Sequence, residues 1–195
     1  MKMAKKFLAV ALAGVLALSV LTGCGNSVKS KDIADSLNKM GVKVELSKEV
    51  DETAEKTLKA IETIIAADSA NKITLDNAVE KVTGKVISQE RIDGKTDAAN
   101  AVQKALGVFT TGEGAEEANV GKQIRVALVE IKNAKKDASL QAAFVKDALV
   151  QAQEGDTTNG KKVVEPGKLG TATTKDGKYM LVVIVNDVVA KTANN

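Results

Sequence analysis

Residues 176–185 read Asp-Gly-Lys-Tyr-Met-Leu-Val-Val-Ile-Val, a turn signal running straight into seven apolar positions. The run 179–185 is apolar at odd and even positions alike and rich in β-branched residues. Such a run predicts a strand buried on both faces, the central strand of a sheet. Before it, 168–174 (KLGTATT) and 161–165 (KKVVE) are shorter strand candidates. Asp176-Gly177 then predicts a hairpin joining the last two strands.

Working back toward the N-terminus, the period changes. Ile33, Leu37 and Met40 recur at helical spacing, with Asp32 as the expected cap and Gly41 as the stop. Residues 42–46 (VKVEL) alternate as a half-buried strand does. Val50, Ala54, Leu58, Ile61 and Ile65 form one stripe of a longer helix, with Ser47 or Asp51 as its cap. Thr74 opens a further helix through Leu75, Ala78 and Val82 to Gly84, and 85–91 (KVISQER) alternates again. Residues 96–106 predict an alanine-rich helix closed by Gly107, and 110–119 (TTGEGAEEAN) a loop. Residues 122–135 fit two patterns. Ile124, Leu128, Ile131 and Ala134 suit a helix, whereas Ile124, Val126 and Leu128 alternate; length and the flanking charges favour the helix. Ser139 is expected to cap a helix through Phe144 and Leu149 to Gln153, ended by Gly155. Helices first and a hairpin last predict an α+β domain, several amphipathic helices packed on a small antiparallel sheet ending in the C-terminal hairpin.

The opening of the chain has another character. Lys2, Lys5 and Lys6 precede an uncharged stretch, 7–21, whose last residue opens the tetrad Leu21-Thr22-Gly23-Cys24. A basic start, a short apolar middle and small residues before a cut describe a secretory signal peptide. The fifteen residues of this stretch fall short of the ~20 apolar residues a spanning helix needs. The tetrad resembles the lipobox of bacterial lipoproteins. That resemblance implies recognition through Leu21, Thr22 and Gly23, cleavage before Cys24, and a diacylglycerol thioether on Cys24. Residues 1–23 are then the signal, 24–31 the lipidated cysteine with a short polar tether, and 32–195 a single domain. The protein would be held on the extracytoplasmic face of the cell membrane.

Processing would also rewrite the charge. Lys+Arg falls from 28 to 25 as the three signal lysines leave, and Asp+Glu stays at 25. The basic character thus belongs to the signal, and nucleic acid is not an expected partner. Histidine is absent and Cys24 is the sole cysteine. Serine–histidine triads, cysteine–histidine dyads and histidine or cysteine zinc sites are therefore excluded. Beyond the signal only Phe109, Phe144 and Tyr179 are aromatic, too few to stack sugars or bases.

Four local patterns fall short of sites. Glu113, Glu116 and Glu117 fit no calcium loop, and Asp156, Asn159 and Gly160 lack its alternating acids and final glutamate. Gly112 and Gly114 give G-x-G, but Glu117 stands where the third glycine of a dinucleotide fingerprint belongs. Lys132, Lys135 and Lys136 are expected at a helix end, favouring the dipole, with anionic headgroups or wall polymers as the functional alternative. No catalytic residue, metal site or cofactor is expected. Carboxylate pairs remain the one catalytic option, and none is framed by aromatics.

Gly170, Asp176, Gly177 and Tyr179, within 167–185, resemble the closing hairpin of the bacterial CAP (SCP-like) extracellular domain. The resemblance implies that family's fold. Its cavity uses two histidines with glutamates, so membership would imply a degenerate domain whose cavity chemistry is lost. The leading expectation is a non-enzymatic, membrane-anchored interaction or envelope domain, with an unidentified envelope or protein partner. A small-ligand binding lipoprotein serving transport is the alternative, and a carboxylate hydrolase of the wall comes last.

Overall fold

The computed structural model describes residues 28–67, 74–78, 96–107, 121–134, 136–155, 157 and 160–190. In chain order these form α1 (Ser30–Lys39), β1 (Val44–Leu46), α2 (Lys48–Ala67), α3 (Leu75–Ala78), α4 (Thr96–Leu106) and β2 (Gln123–Glu130). There follow α5 (Ala138–Ala148), β3 (Val150–Gln153), β4 (Lys161–Val163), β5 (Gly167–Thr173), β6 (Tyr179–Asn186) and β7 (Val188–Ala190). The expected strand at 85–91 and loop at 110–119 lie outside the described residues.

The architecture is α+β. Five strands form one sheet in the order β1-β5-β6-β2-β3, and β4 and β7 pair separately. The run 179–186 is the middle strand, as its double-sided apolarity requires. Met180, Leu181, Val182, Val183 and Ile184 are all essentially sealed from solvent. On one face, Leu181 and Val183 meet Ala54, Leu58 and Ile61 of α2 and Val102 and Leu106 of α4. On the other, Val182 and Ile184 meet Ile33 and Leu37 of α1 and Ala142 and Val145 of α5. Helices thus cover both faces, and a strand inside such a sandwich has no solvent side on which to place polar residues.

Several expectations change. Residues 123–130 are a strand, not a helix. Every residue from Gln123 to Glu130 pairs antiparallel with β6, and β3 takes the other edge. Ile124, Val126 and Leu128 face α2 and α4, while Ala127 and Val129 face α1 and α5. The helical spacing was a coincidence of a strand apolar on both faces. The helix expected to run from Ser139 to Gln153 stops at Ala148, because Leu149 turns extended and Val150–Gln153 pairs as β3. Its cap is Asp137, whose Oδ1 accepts from the N–H groups of Ser139 and Leu140 at 2.9 and 3.0 Å. α1 begins at Ser30, two residues before the expected cap, so Asp32 lies in its first turn. Pairing is mixed, since β1 runs parallel to β5 from Val44↔Gly167 to Leu46↔Leu169.

The hairpin forms where Asp176-Gly177 predicts it. Gly177 has φ +67°, which glycine adopts without strain. Asp176 Oδ1 accepts from Thr174 Oγ1 and Lys178 N at 2.7 and 3.1 Å. Of the two caps proposed for α2, Ser47 is the one used, its Oγ accepting from Val50 N at 3.4 Å.

Candidate functional site

The sheet has two polar ends, separated by the eight residues of β6, a span of about 25 Å. One holds the start of β2 and the end of β6. Arg125 Nη2 donates to Asn186 Oδ1 at 3.2 Å, and Asn186 Nδ2 donates to Val164 O at 2.8 Å. Asn186 is only 1% exposed. It fits because Gly167 opposite has no side chain; a Cβ there would stand 2.7 Å from Asn186 Oδ1. Burial pulls Arg125 below its ordinary value, and the carboxylate of Glu165 opposes that shift. Its Nε is buried without a hydrogen-bond partner. Lys122 and Lys168 approach Asp187 at 3.8 and 3.6 Å beside it.

Chemically, this end resembles a structural clasp more than a receptor. A ligand-binding arginine presents an open fork of donors. Here one nitrogen is committed to Asn186, and Nε is sealed beyond the reach of a solvent-borne ligand. The clasp ties β2, β6 and the segment leading into β5.

The other end gathers the β5–β6 turn and the segment between β2 and α5. Ile131 N donates to Lys178 O at 2.6 Å, joining the two. Tyr179 begins β6 here, and its hydroxyl donates to Asp76 Oδ1 at 2.6 Å. That bond to Asp76, then burial, then the charges of Asp76, Glu130 and Asp176 push the phenol far above its ordinary value. Lys132 pairs with Glu130, and Lys178 with Asp176 at 3.3 Å.

The lysine cluster changes meaning in this setting. Lys132 and Lys136 do not end a helix; they lie between β2 and α5, ahead of α5's N-terminus, where the dipole is positive. The expected dipole stabilisation is therefore absent, and Lys136 instead takes φ +63° to turn the chain into the Asp137 cap. Lys135 lies outside the described residues. So do Leu21, Thr22, Gly23 and Cys24, the glycines and acids of 112–117, and Asp156 and Asn159; Gly160 is described, at φ +75° before β4.

Asp176 and Gly177 shape the hairpin turn, while Gly170 and Tyr179 join distant segments. Gly170 lets α2 lie against β5, for a Cβ there would be driven into the backbone of Val50 and Asp51. Next to it, Asp51 Oδ1 accepts from Thr171 N at 2.8 Å, taking over as β5's edge partner where β1 has ended. Sequence reading did not single out Arg125, Asn186 or this role of Asp51. A lone arginine in QIRVALVE and an asparagine closing an apolar strand were the available signals.

Among the described residues, no group of three or more acidic, histidine or cysteine side chains is placed to hold a metal, and no helix is long and apolar enough to cross a membrane. No family model, curated protein or solved structure matches the chain.

Proposed function

We infer that the protein is an extracytoplasmic lipoprotein, anchored through Cys24 and acting as a non-enzymatic interaction or envelope-associated domain. The observation that carries this reading is the tetrad Leu21-Thr22-Gly23-Cys24 behind a basic, short apolar leader. Two features support it. Packed structure starts close behind the tetrad, with Val28 against the core and α1 from Ser30, so signal and domain do not compete for residues. In the described site, Arg125 Nη2 is committed to Asn186, which in turn donates to the backbone at Val164. Two acyl chains suffice for stable anchoring where one does not.

Metabolic labelling with a clickable fatty acid tests the anchor. Wild type incorporates label and Cys24→Ala does not; equal labelling of the two contradicts the reading. Crosslinking in intact cells, followed by purification from membranes, tests the interaction role. A discrete crosslinked protein or wall-polymer adduct supports it, and recovery of the uncrosslinked chain alone counts against it.

A further inference from the structure

The position of α1 fixes more than the start of the fold. Ser30 Oγ and Thr171 Oγ1 lie 2.6 Å apart, placing the first turn of α1 beside the last part of β5. At its other end, α1 leads to Lys43, whose carbonyl accepts from Gly167 N where β5 begins. α1 therefore runs antiparallel to β5, with its N-terminus toward the β5–β6 turn. α5 runs the same way as α1, since Lys146 near its end reaches Met40 O at 3.2 Å. The start of α1, the segment 131–137, the first turn of α5 and the turn 174–178 thus share one end of the molecule.

That end is where the chain from Cys24 enters. Only residues 25–27 separate Cys24 from Val28, which already packs on the core. Fully extended, this stretch spans at most ~15 Å, less than the length of the sheet. The same end exposes Lys29, Lys136 and Lys175, and Leu140 on the first turn of α5, 39% exposed. Several of its carboxylates are locally engaged. Asp35 pairs with Lys31, Glu130 with Lys132 and Asp176 with Lys178, while Asp137 caps α5. Asp32 lies in the first turn of α1, where the helix dipole favours a carboxylate.

The geometry points to an orientation: the domain stands with its β5–β6 turn and 131–137 segment against the bilayer, Lys136, Lys175 and Leu140 meeting the headgroups, and the Arg125–Asn186 end facing away. The proposal rests on the lipoprotein reading. Asp76 on Tyr179, and Glu49, Asp51 and Glu52 at the start of α2 beside Thr171, leave this end without excess positive charge, so the short leash sets the orientation and Lys136, Lys175 and Leu140 supply the local contact.

Single-cysteine labelling tests it. The mature lipoprotein, purified from membranes, is reconstituted in phosphatidylcholine vesicles containing phosphatidylglycerol and headgroup-nitroxide lipid. Lys175→Cys and Lys162→Cys, the latter in β4 at the far end, each receive a maleimide fluorophore. Acylated Cys24 leaves the introduced thiol as the only one, so wild type must refuse the dye. Wild type taking the dye would defeat the lipoprotein reading itself. With wild type unlabelled, several-fold stronger quenching at position 175 than at 162 supports the orientation. Equal quenching, as for a domain lying on its side, or stronger quenching at 162 overturns it. Lys136→Glu with Leu140→Ser is expected to reduce the contrast, and an unchanged contrast would remove those two side chains from the contact.

Discussion

Asp51 shows how one side chain can stand in for a strand. β1 ends at Leu46, and Asp51 then accepts the Thr171 N–H that a longer β1 would have taken. Burial raises this carboxyl above its ordinary 3.8, opposed by the Thr171 bond and assisted by Glu55. A raised carboxyl binds its proton more tightly in the folded state. Its stabilising contribution is therefore complete below pH 3.8 and is lost as pH rises through the folded value. Asp176 runs the other way: the Thr174 hydroxyl first, then the Lys178 N–H, holds it low, and its contribution disappears as pH falls through its folded value. Asp51→Asn keeps an acceptor without the charge. Its stability relative to wild type is expected to rise with pH through the Asp51 titration, read by denaturant unfolding at a series of pH values. Asp51→Ala leaves Thr171 N–H without its acceptor and should cost about 1–2 kcal/mol. An Asn variant that tracks wild type at every pH would refute the assignment.

Tyr179 offers a cleaner reporter, being the chain's only tyrosine in the absence of tryptophan. Phenolate absorbance should develop well above pH 10, and Asp76→Asn should bring it down by removing the principal cause. An ordinary titration in wild type would show that the Tyr179–Asp76 bond does not form in solution. Gly170→Ala tests the approach of α2 to β5. Because the obstruction is backbone rather than a flexible side chain, a loss of about 3 kcal/mol is expected in denaturant unfolding.

At the scale of elements, legibility followed the number of faces a segment buries. α4 closes at Gly107, and the hairpin forms around Gly177, because glycine at positive φ leaves a local signature. The strand 179–186 was legible because apolarity on both faces over a short run has few other solutions. β2 shares that property, yet its spacing also satisfied a helix, and only pairing with β6 and β3 decides between them. Likewise the end of α5 could not be read from 139–153, because β3 exists only where β2 offers an edge. The Arg125–Asn186 clasp joins residues 61 apart in sequence, beyond any local pattern. Leu181 and Ile184 test the two-faced sheet directly, since they bury against different helix layers. Leu181→Ala and Ile184→Ala should each cost about 3 kcal/mol. Their double variant should be close to additive, because the two side chains share no partner layer. A β2 that were helical in solution would lose its slow amide exchange in register with β6, and hydrogen exchange would show it.

At the scale of the molecule, a sandwich of helices around a mixed sheet is separated from Cys24 by very little chain. Asp51 ties α2 to β5, and Arg125 Nη2 and Asn186 tie β2, β6 and the segment before β5. These ties suit a rigid domain. Anchoring to a membrane depends on what Cys24 carries. Mass spectrometry of the N-terminal peptide from the membrane-purified protein measures this directly. The result predicted is a chain beginning at Cys24 with a diacylglycerol thioether and nothing of residues 1–23. A chain that retains the leader, or begins at an unmodified Cys24, would contradict it.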